Sequence, residues 1–386
     1  MKKLGIMGGT FNPIHNGHLM SARMAADALA LDEVLFLPDG EPPHKAAGDL
    51  ASGVSRFNMT ALAIWEQPVF RCSDMEIRRS GTTYTVDTLA ELKRKMPEAS
   101  IHYIVGADTL FHIPGWKQPE RIAEMCSLIA VCRPGLTAQA VRRQAETLHD
   151  TLGFSVRTLR GSGPDISSTE VRKRAAQGDS LTDYVPQSVA VYMAQHRLYG
   201  TPPHPITVQL SQTLSPHRFS HTLSVAETAV YLASLFGENP CQAHLAGMLH
   251  DCAKGLDAPA MLQLIRSGGI SADDMELSMP ALLHAPAGAA LARSQYHVSD
   301  AAVLSAIRWH TTGRRNMTRL EKIIYLADMI EPERGDFPGL SEIRALALTD
   351  LDRAVSMAAA RSAAYVTEHG KKLHPRTVEL ARDSHI

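Results

Sequence analysis

Three of the four residues in Pro202-Pro203-His204-Pro205 are prolines. Each fixes its own φ and lacks a backbone N–H, so regular structure is not expected through the stretch. It separates two halves whose apolar residues follow different periods. Ahead of it, Leu4-Gly5-Ile6-Met7 has the length and composition of a buried strand, Gly8 to Gly17 of a loop, His18 to Ala30 of a helix and Val34 to Leu37 of a second strand. Strand, loop, helix, strand is a parallel crossover unit. The alternation continues with helices near Ser55 to Trp65 and Thr85 to Lys95, strands Ile101 to Val105, Ser127 to Val131 and Phe154 to Leu159, and a last helix near Pro186 to His196. Beyond the prolines the periods are helical: Phe219 to Phe236, Cys241 to Lys254, Ala258 to Ser267, Ala281 to Arg293, Asp300 to Trp309, Thr318 to Ile330 and Ser341 to Glu368. No stretch there alternates with period two.

Residues 1–200 are therefore expected to form an α/β domain, a Rossmann-like doubly wound parallel sheet that places ligands at the carboxyl ends of its strands. Residues 201–209 are expected to be a Pro-rich linker and 210–386 an all-α helical bundle. The 386 residues carry 39 Lys+Arg against 40 Asp+Glu, a balance that argues against nucleic acid as a partner. Five cysteines, odd in number, far apart and without a CxxC, point to neither a disulfide framework nor a thiolate zinc site, and so to a reducing, cytoplasmic setting. No run of about 18 apolar residues suggests membrane insertion, and no secretion signal is expected. Histidine is unevenly shared, with 7 of 18 in the first 200 residues and 11 in the other 186, which directs attention to metal or proton chemistry in the second half.

Gly8-Gly9-Thr10-Phe11-Asn12-Pro13-Ile14-His15-Asn16-Gly17-His18 follows the first strand directly. The glycines let a backbone pass close to a ligand. His15 and His18, three apart at a helix start, point to one side where free amides and the helix dipole favour anions. Two imidazoles there can bind nucleotide phosphates and neutralise charge as phosphorus is attacked; a glycine-rich turn with two incidental histidines is the alternative. Late in the domain, Gly163-Pro164-Asp165-Ile166-Ser167-Ser168-Thr169-Glu170-Val171-Arg172 has the form of a capping box, with Ser167 as N-cap and Glu170 reaching back. Two more hydroxyls and an arginine one turn on make a place where amides, hydroxyls and a guanidinium can converge on a triphosphate tail. Together the two motifs resemble the nucleotidyltransferase superfamily marked by HxGH and ISSTxxR signatures, whose members join a nucleotide monophosphate unit to a phosphate or sugar-phosphate acceptor.

Three further stretches bear on the acceptor: Pro42-Pro43-His44-Lys45, Gly81-Thr82-Thr83-Tyr84-Thr85-Val86-Asp87-Thr88, and Gly106-Ala107-Asp108-Thr109-Leu110 leading to Ile113-Pro114-Gly115-Trp116-Lys117. All three resemble nicotinate-nucleotide adenylyltransferase, over essentially residues 1–200. Their chemistry suits that substrate. Trp116 can stack on a pyridine ring, the amides and hydroxyls around Thr82, Thr83 and Tyr84 can hold its carboxylate, and Lys45 can meet a phosphate. Taken singly, Trp116 is also readable as a loop aromatic packed on the core, and Lys45 as a solvated charge. The resemblance implies that Gly106 and Asp108 face the ATP ribose or Mg²⁺, a helix N-cap being the other role for Asp108. It also implies that Gly8, Gly9, Thr10, Phe11, Ile166, Ser167, Ser168 and Thr169 contribute to substrate binding. The reaction it implies is in-line attack by the phosphate of nicotinate mononucleotide on the α-phosphorus of ATP, with His15, His18, Arg172 and Mg²⁺ aligning the groups and stabilising charge. Pantetheine phosphate is the alternative acceptor, and the Trp116 loop and the Thr82-Thr83-Tyr84 stretch argue against it.

In the second half, His250-Asp251 lies in the apolar helix Leu245-Ala246-Gly247-Met248-Leu249-His250-Asp251-Cys252-Ala253-Lys254-Gly255. A buried carboxylate costs several kcal/mol unless it is paired or bound to metal. His221, His284, His310 and Asp328 sit in similar apolar surroundings; each histidine alone is readable as a satisfied core residue, while Asp328 needs a specific partner. Four histidines and two aspartates on separate helices suit borderline divalent metals, with Asp251 able to bridge two ions. Their order resembles the HD-domain metal phosphohydrolases. More narrowly, His250-Asp251-x-x-Lys254, His310-Thr311-Thr312-Gly313 and Ala327-Asp328-Met329-Ile330-Glu331-Pro332-Glu333-Arg334 resemble the YqeK family, which cleaves diadenosine tetraphosphate symmetrically to ADP and binds iron. That resemblance spans roughly residues 210 to 365. It implies one metal on His221, His250, Asp251 and Asp328, another on Asp251, His284 and His310, and a water made acidic between them that attacks phosphorus. Lys254 can hold a phosphate, Arg314, Arg315, Arg319 and Arg334 are candidates to clamp the rest, and His217 is a rival ligand. His244, His297, His369, His374 and His385 are expected at the surface.

The expectation for the whole chain is thus a bifunctional enzyme, an adenylyltransferase fused to an all-α HD-domain helical bundle. Its partners would be ATP, nicotinate mononucleotide and diadenosine tetraphosphate, its cofactors Mg²⁺ and two divalent metals, iron by the resemblance, and a homo-oligomer is allowed. Two alternatives stand for the second half: hydrolysis of another nucleotide, or a non-catalytic nucleotide-binding module that regulates the first.

Overall fold

The computed structural model describes residues 1–40, 50–132, 136–161, 165–370 and 372–382. They fall into two compact units, Met1–Pro202 and Pro203–Ile386.

The first unit runs β1 (Lys3–Gly9), α1 (Asn16–Leu29), β2 (Glu33–Pro38), α2 (Gly53–Ile64), β3 (Phe70–Cys72), α3 (Thr85–Lys95), β4 (Ser100–Gly106), α4 (Pro119–Met125), β5 (Ser127–Val131), α5 (Ala138–Leu152), β6 (Val156–Leu159), α6 (Ser168–Gln177) and α7 (Gln187–Gln195). The six strands form one sheet in the order β3-β2-β1-β4-β5-β6, all neighbours parallel, with Ile6 opposite Leu35 on one side and Tyr103 on the other. Apolar side chains point to both faces because helices cover both; Leu4, Ile6, Leu89, Leu128 and Phe154 are wholly buried in one shared core. The strand order reverses between β1 and β4, and that reversal opens a crevice at their carboxyl ends. Gly8, the last residue but one of β1, lies at the crevice, where a Cβ would run into the Tyr103 hydroxyl, so only glycine lets the β4 tyrosine lie across it.

Three elements of this unit lie outside the sequence expectation. β3 is only three residues long and α4 opens on Pro119, so neither shows a full period, whereas α5 carries a narrow apolar stripe through Val141, Ala145, Leu148 and Leu152 that sequence reading passed over.

The second unit is helical: α8 (Pro205–Thr213), α9 (Pro216–Phe236), α10 (Pro240–Leu249), α11 (Ala258–Ser267), α12 (Asp274–Ser278), α13 (His284–Ser294), α14 (Ala301–Trp309), α15 (Arg319–Ile330), α16 (Leu340–Ala347), α17 (Leu351–Glu368) and α18 (Pro375–Arg382). Ala226, Leu249, Ile307, Ile324 and Ala358 are fully buried at its centre. α9 and α10 touch backbone to backbone at Gly247, whose Cβ would stand 2.7 Å from Ala226 Cα. The expected linker at 201–209 is corrected here, because α8 begins at Pro205. Proline fits a first helical turn that needs no N–H, and the His204 ring accepts from Ile206 N at 3.3 Å, so the run starts a helix. The helix expected from Ser341 to Glu368 is two, α17 being restarted by Asp350, whose carboxylate accepts from Arg353 N at 3.1 Å. Among the described residues, no helix is long and apolar enough to cross a membrane.

Candidate active sites

In the first unit a cavity of about 650 Å³ lies at the carboxyl ends of β1 and β4. Of the residues expected at a site, it gathers Gly8, Gly9, His18, Thr83, Tyr84, Gly106 and Trp116. His18 and His15 stack with ring centroids 3.7 Å apart, and His15 N donates to His18 Nδ1 at 3.2 Å. Only His18 lines the cavity; His15 is 2% exposed. Trp116 meets Tyr103 edge to face at 6.0 Å, and the Lys117 ammonium, paired with Asp87, lies 4.3 Å over the Tyr84 ring. Thr82 and Asp108 are exposed and lie off the cavity wall, where Thr109 takes the place expected for Asp108. Lys45, Gly163 and Pro164 lie outside the described residues.

The structure brings the two motifs of this unit together through hydrogen bonds. Ser168 Oγ donates to Pro13 O at 2.9 Å, and Arg172 donates to Asn12 O at 2.9 Å and to Thr169 Oγ1 at 3.4 Å. The N-terminus of α6 therefore sits on the Asn12-Pro13 loop. Ser167 caps α6 by accepting from Glu170 N at 3.2 Å, but the Glu170 carboxylate pairs with Arg174 at 2.9 Å; the reciprocal half of the expected capping box is replaced by an ion pair one turn further on.

Sequence reading missed the residues that hold this loop from elsewhere. Arg56, 1% exposed, donates to Thr10 O at 2.8 Å, Asp39 Oδ1 at 2.6 Å, Gly40 O at 2.8 Å and Ala51 O at 3.1 Å, while Thr10 Oγ1 donates to Asp39 Oδ2 at 2.9 Å. Tyr199 donates to Asn12 Oδ1 at 2.6 Å. Glu76 also lines the cavity; burial raises its pKa and the nearby Asp39 charge adds to the shift, against the Thr88 hydroxyl that donates to it at 2.6 Å. A buried cation inside a mainly apolar helix, as at Arg56, was the available signal.

In the second unit, helix ends converge on Asp251, itself 2% exposed. His250 and Asp251 follow α10, His284 opens α13, His310 follows α14 and Asp328 lies in α15. His250, His284 and His310 each donate Nδ1–H to the carbonyl three residues back, Gly247 O at 2.7 Å, Ala281 O at 2.9 Å and Ile307 O at 2.7 Å. Their Nε2 atoms are thereby turned to the carboxylate, 3.6 Å from Asp251 Oδ2 for His250, and 3.4 and 3.6 Å from Oδ1 for His284 and His310. His221 Nε2 lies 3.0 Å from Asp328 Oδ1. His221, His250 and Asp251 offer ligand atoms within 4.8 Å of one another, as do Asp251, His284 and His310.

The electrostatics match a cation-holding role. Burial holds His250 down to about 4 and, with Lys254 and His310 adding to it, His284 down to about 3, so both imidazoles are neutral at pH 7. Burial pushes the Asp251 carboxyl the other way, yet His250, His310, His284 and Lys254 hold it well below the usual carboxylate range. Burial likewise opposes charge on Asp328, which the His221 hydrogen bond and His250 keep ionised. For His250 and His284, neutral imidazoles beside ionised carboxylates are the form in which these groups ligate; at His221 burial lowers the pKa, but the Asp328 and Glu331 carboxylates outweigh it and raise it. His250 Nε2 is buried without a hydrogen-bond partner and His221 Nε2 faces only the Asp328 carboxylate, an arrangement that suits a cation between them.

Other expectations are corrected. His217 is exposed, and Arg315 and Arg319 are exposed on the turn and helix beyond His310. Arg314 is tied to the buried Glu321 at 2.9 Å. His244 and His374, expected at the surface, are each 5% exposed, His374 pairing with Asp273 at 3.1 Å. Lys254 Nζ lies 3.7 Å from Asp251 Oδ1, and Arg334 lies 3.8 Å from Asp328 Oδ1. Arg218, one turn before His221 and not singled out in the sequence, lies 2.8 Å from Asp251 Oδ2.

Residues 6–174 match the Cytidylyltransferase-like family and residues 218–333 the HD domain. A probable nicotinate-nucleotide adenylyltransferase of Lachnoclostridium phytofermentans is 37% identical over 199 residues, 52% of this chain and 100% of the relative; one of Dehalococcoides mccartyi is 41% identical over 201 residues, 51% of this chain and 97% of the relative. Among solved structures, a predicted HD superfamily hydrolase involved in NAD metabolism from Clostridium acetobutylicum is 41% identical over 46% of this chain and 94% of its own, with TM-score 0.44. The nicotinic acid mononucleotide adenylyltransferase of Plasmodium falciparum complexed with NaAD is 21% identical over 52% of this chain and 98% of its own, also with TM-score 0.44. With these identities over the full length of its relatives, the chain belongs through its first half to the nicotinate-nucleotide adenylyltransferase family, and it carries an HD domain in its second.

Proposed function

We propose that the first unit transfers the adenylyl group of ATP to nicotinate mononucleotide, and that the second cleaves diadenosine tetraphosphate symmetrically to ADP. The cavity at the β1 and β4 ends carries the first reading, because it draws His18, Thr83 and Trp116 around one volume of a size that suits a small ligand. Trp116 offers a face for the pyridine ring, and Thr83 with the neighbouring amides a seat for its carboxylate. A phosphate oxygen of the mononucleotide forms a bond to the α-phosphorus of ATP as the bond to pyrophosphate breaks, so no protein nucleophile is required. His18, at the positive end of α1, and Arg172, at the first turns of α6, stabilise the charge that develops. Mg²⁺ on ATP would supply further neutralisation of the phosphates.

Asp251 carries the second reading, since imidazole nitrogens converge on both of its oxygens. Two divalent cations, one on His221, His250, Asp251 and Asp328 and the other on Asp251, His284 and His310, would supply an acidified water and neutralise phosphate charge; the nitrogen and oxygen donor set suits iron. Lys254, Arg218 and Arg334 stand at the rim of this cluster and are placed to hold a polyphosphate chain. A reducing cytoplasm accords with five free cysteines.

Purified full chain given ATP, Mg²⁺ and nicotinate mononucleotide releases pyrophosphate, and releases none with pantetheine phosphate instead. Iron-loaded chain given diadenosine tetraphosphate yields ADP as the sole nucleotide product. Transfer to pantetheine phosphate alone would overturn the first reading. AMP with ATP as products, or metal-loaded protein that hydrolyses no nucleotide, would overturn the second.

A further inference from the structure

The imidazoles around Asp251 are not all oriented by the same kind of group. Three use a main-chain carbonyl, but His221 donates Nδ1–H to the Glu331 carboxylate, Oε1 at 3.2 Å. Glu331 is 2% exposed, and its other oxygen accepts from Ser224 Oγ at 2.7 Å and Glu333 N at 2.7 Å. Arg344 donates to Glu331 O at 2.8 Å and fixes the backbone that carries it. A carboxylate behind an imidazole fixes its tautomer and makes the opposite nitrogen a stronger donor. In this half of the cluster His250 Nε2 is buried without a hydrogen-bond partner and His221 Nε2 faces the Asp328 carboxylate at 3.0 Å. Among the described residues, Asp251 is the one carboxylate of the other half, and there Lys254 Nζ lies 3.0 Å from His284 Nε2; the half with His221 has Asp328 as well, which outweighs Arg218 at 2.8 Å from Asp251 Oδ2 and Arg334 at 3.8 Å from Asp328 Oδ1.

We infer that Glu331 is a positioning residue that holds His221 ready to ligate through Nε2, so that the His221, His250, Asp251 and Asp328 half binds its cation more tightly than the half formed by Asp251, His284 and His310. The inference rests on the two-cation reading of this centre. Glu331 itself holds no cation; it acts through His221.

Metal-free full chain titrated with Co²⁺, followed by visible absorption and by metal content after gel filtration, tests it. Wild-type protein takes up one equivalent tightly and a second more weakly. Glu331→Gln keeps the shape and removes the charge; it lowers affinity for the tight equivalent about 10- to 100-fold and alters its absorption bands. The weaker equivalent and the melting temperature of the metal-free protein stay as in wild type, and Glu331→Asp recovers part of the lost affinity. Wild-type affinity for both equivalents in Glu331→Gln would overturn the inference, as would equal loss of both with a fallen metal-free melting temperature, which marks a purely structural role. Wild-type protein that takes up no cobalt removes the two-cation reading itself, so the two failures are told apart.

Discussion

His15 and His18 share a motif but not a surrounding: His18 lines the cavity, while His15 is buried against it and stacked on its ring. His18→Ala is expected to lower kcat for pyrophosphate release about 10²- to 10³-fold, the size of effect seen when one charge-stabilising donor is removed, while circular dichroism shows the chain still folded. A change below threefold would take His18 out of the mechanism. Such motif residues were legible in sequence because their chemistry recurs within one or two helical turns, as in Ser167 to Arg172 and His250 to Lys254. Their supports were not. Arg56 lies 46 residues from Thr10, and Glu331 lies 110 residues from His221; only the fold reveals such pairings. Lone charges inside apolar stretches were the hint, a hint followed at Asp328 and passed over at Arg56.

At the scale of elements, long periodic helices such as α9 and α15 were readable, and short or thinly buried ones were not. α12 shows what holds a five-residue helix in place. Glu276, with no exposed surface, receives two hydrogen bonds of 2.7 Å from Arg308 of α14, which is 6% exposed. Burial opposes ionisation of Glu276, yet the Arg308 guanidinium and the cap amide of the same turn hold its pKa below the ordinary value. A carboxyl depressed in this way stabilises the fold fully above its unfolded pKa of about 4.3, and the contribution is lost as pH falls through the lower folded value. Glu276→Gln leaves Arg308 buried without its charge partner, so urea unfolding at pH 7 should show a loss of about 3–5 kcal/mol. The variant should also lose less stability than wild type between pH 5 and pH 3. A pH profile parallel to wild type would count against the ion pair.

For the whole molecule, the near-equal balance of charge is compatible with the proposed small anionic ligands, which need only a few local cationic groups: helix N-termini and arginine in one unit, and metal held by histidine and aspartate in the other as proposed. The two centres therefore differ in what they demand of metal. Chelation of the full chain followed by readdition of Mg²⁺ alone should restore pyrophosphate release but not nucleotide hydrolysis, which returns on adding Fe²⁺. Recovery of both with Mg²⁺ would contradict the imidazole-rich donor set of the second centre.

The guanidinium of Arg56 binds Gly40 O and Ala51 O together, and it binds Thr10 O as well. One side chain therefore rivets three segments that are far apart in sequence, the Thr10 loop, the end of strand β2 and the approach to helix α2, so its loss would loosen all three at once.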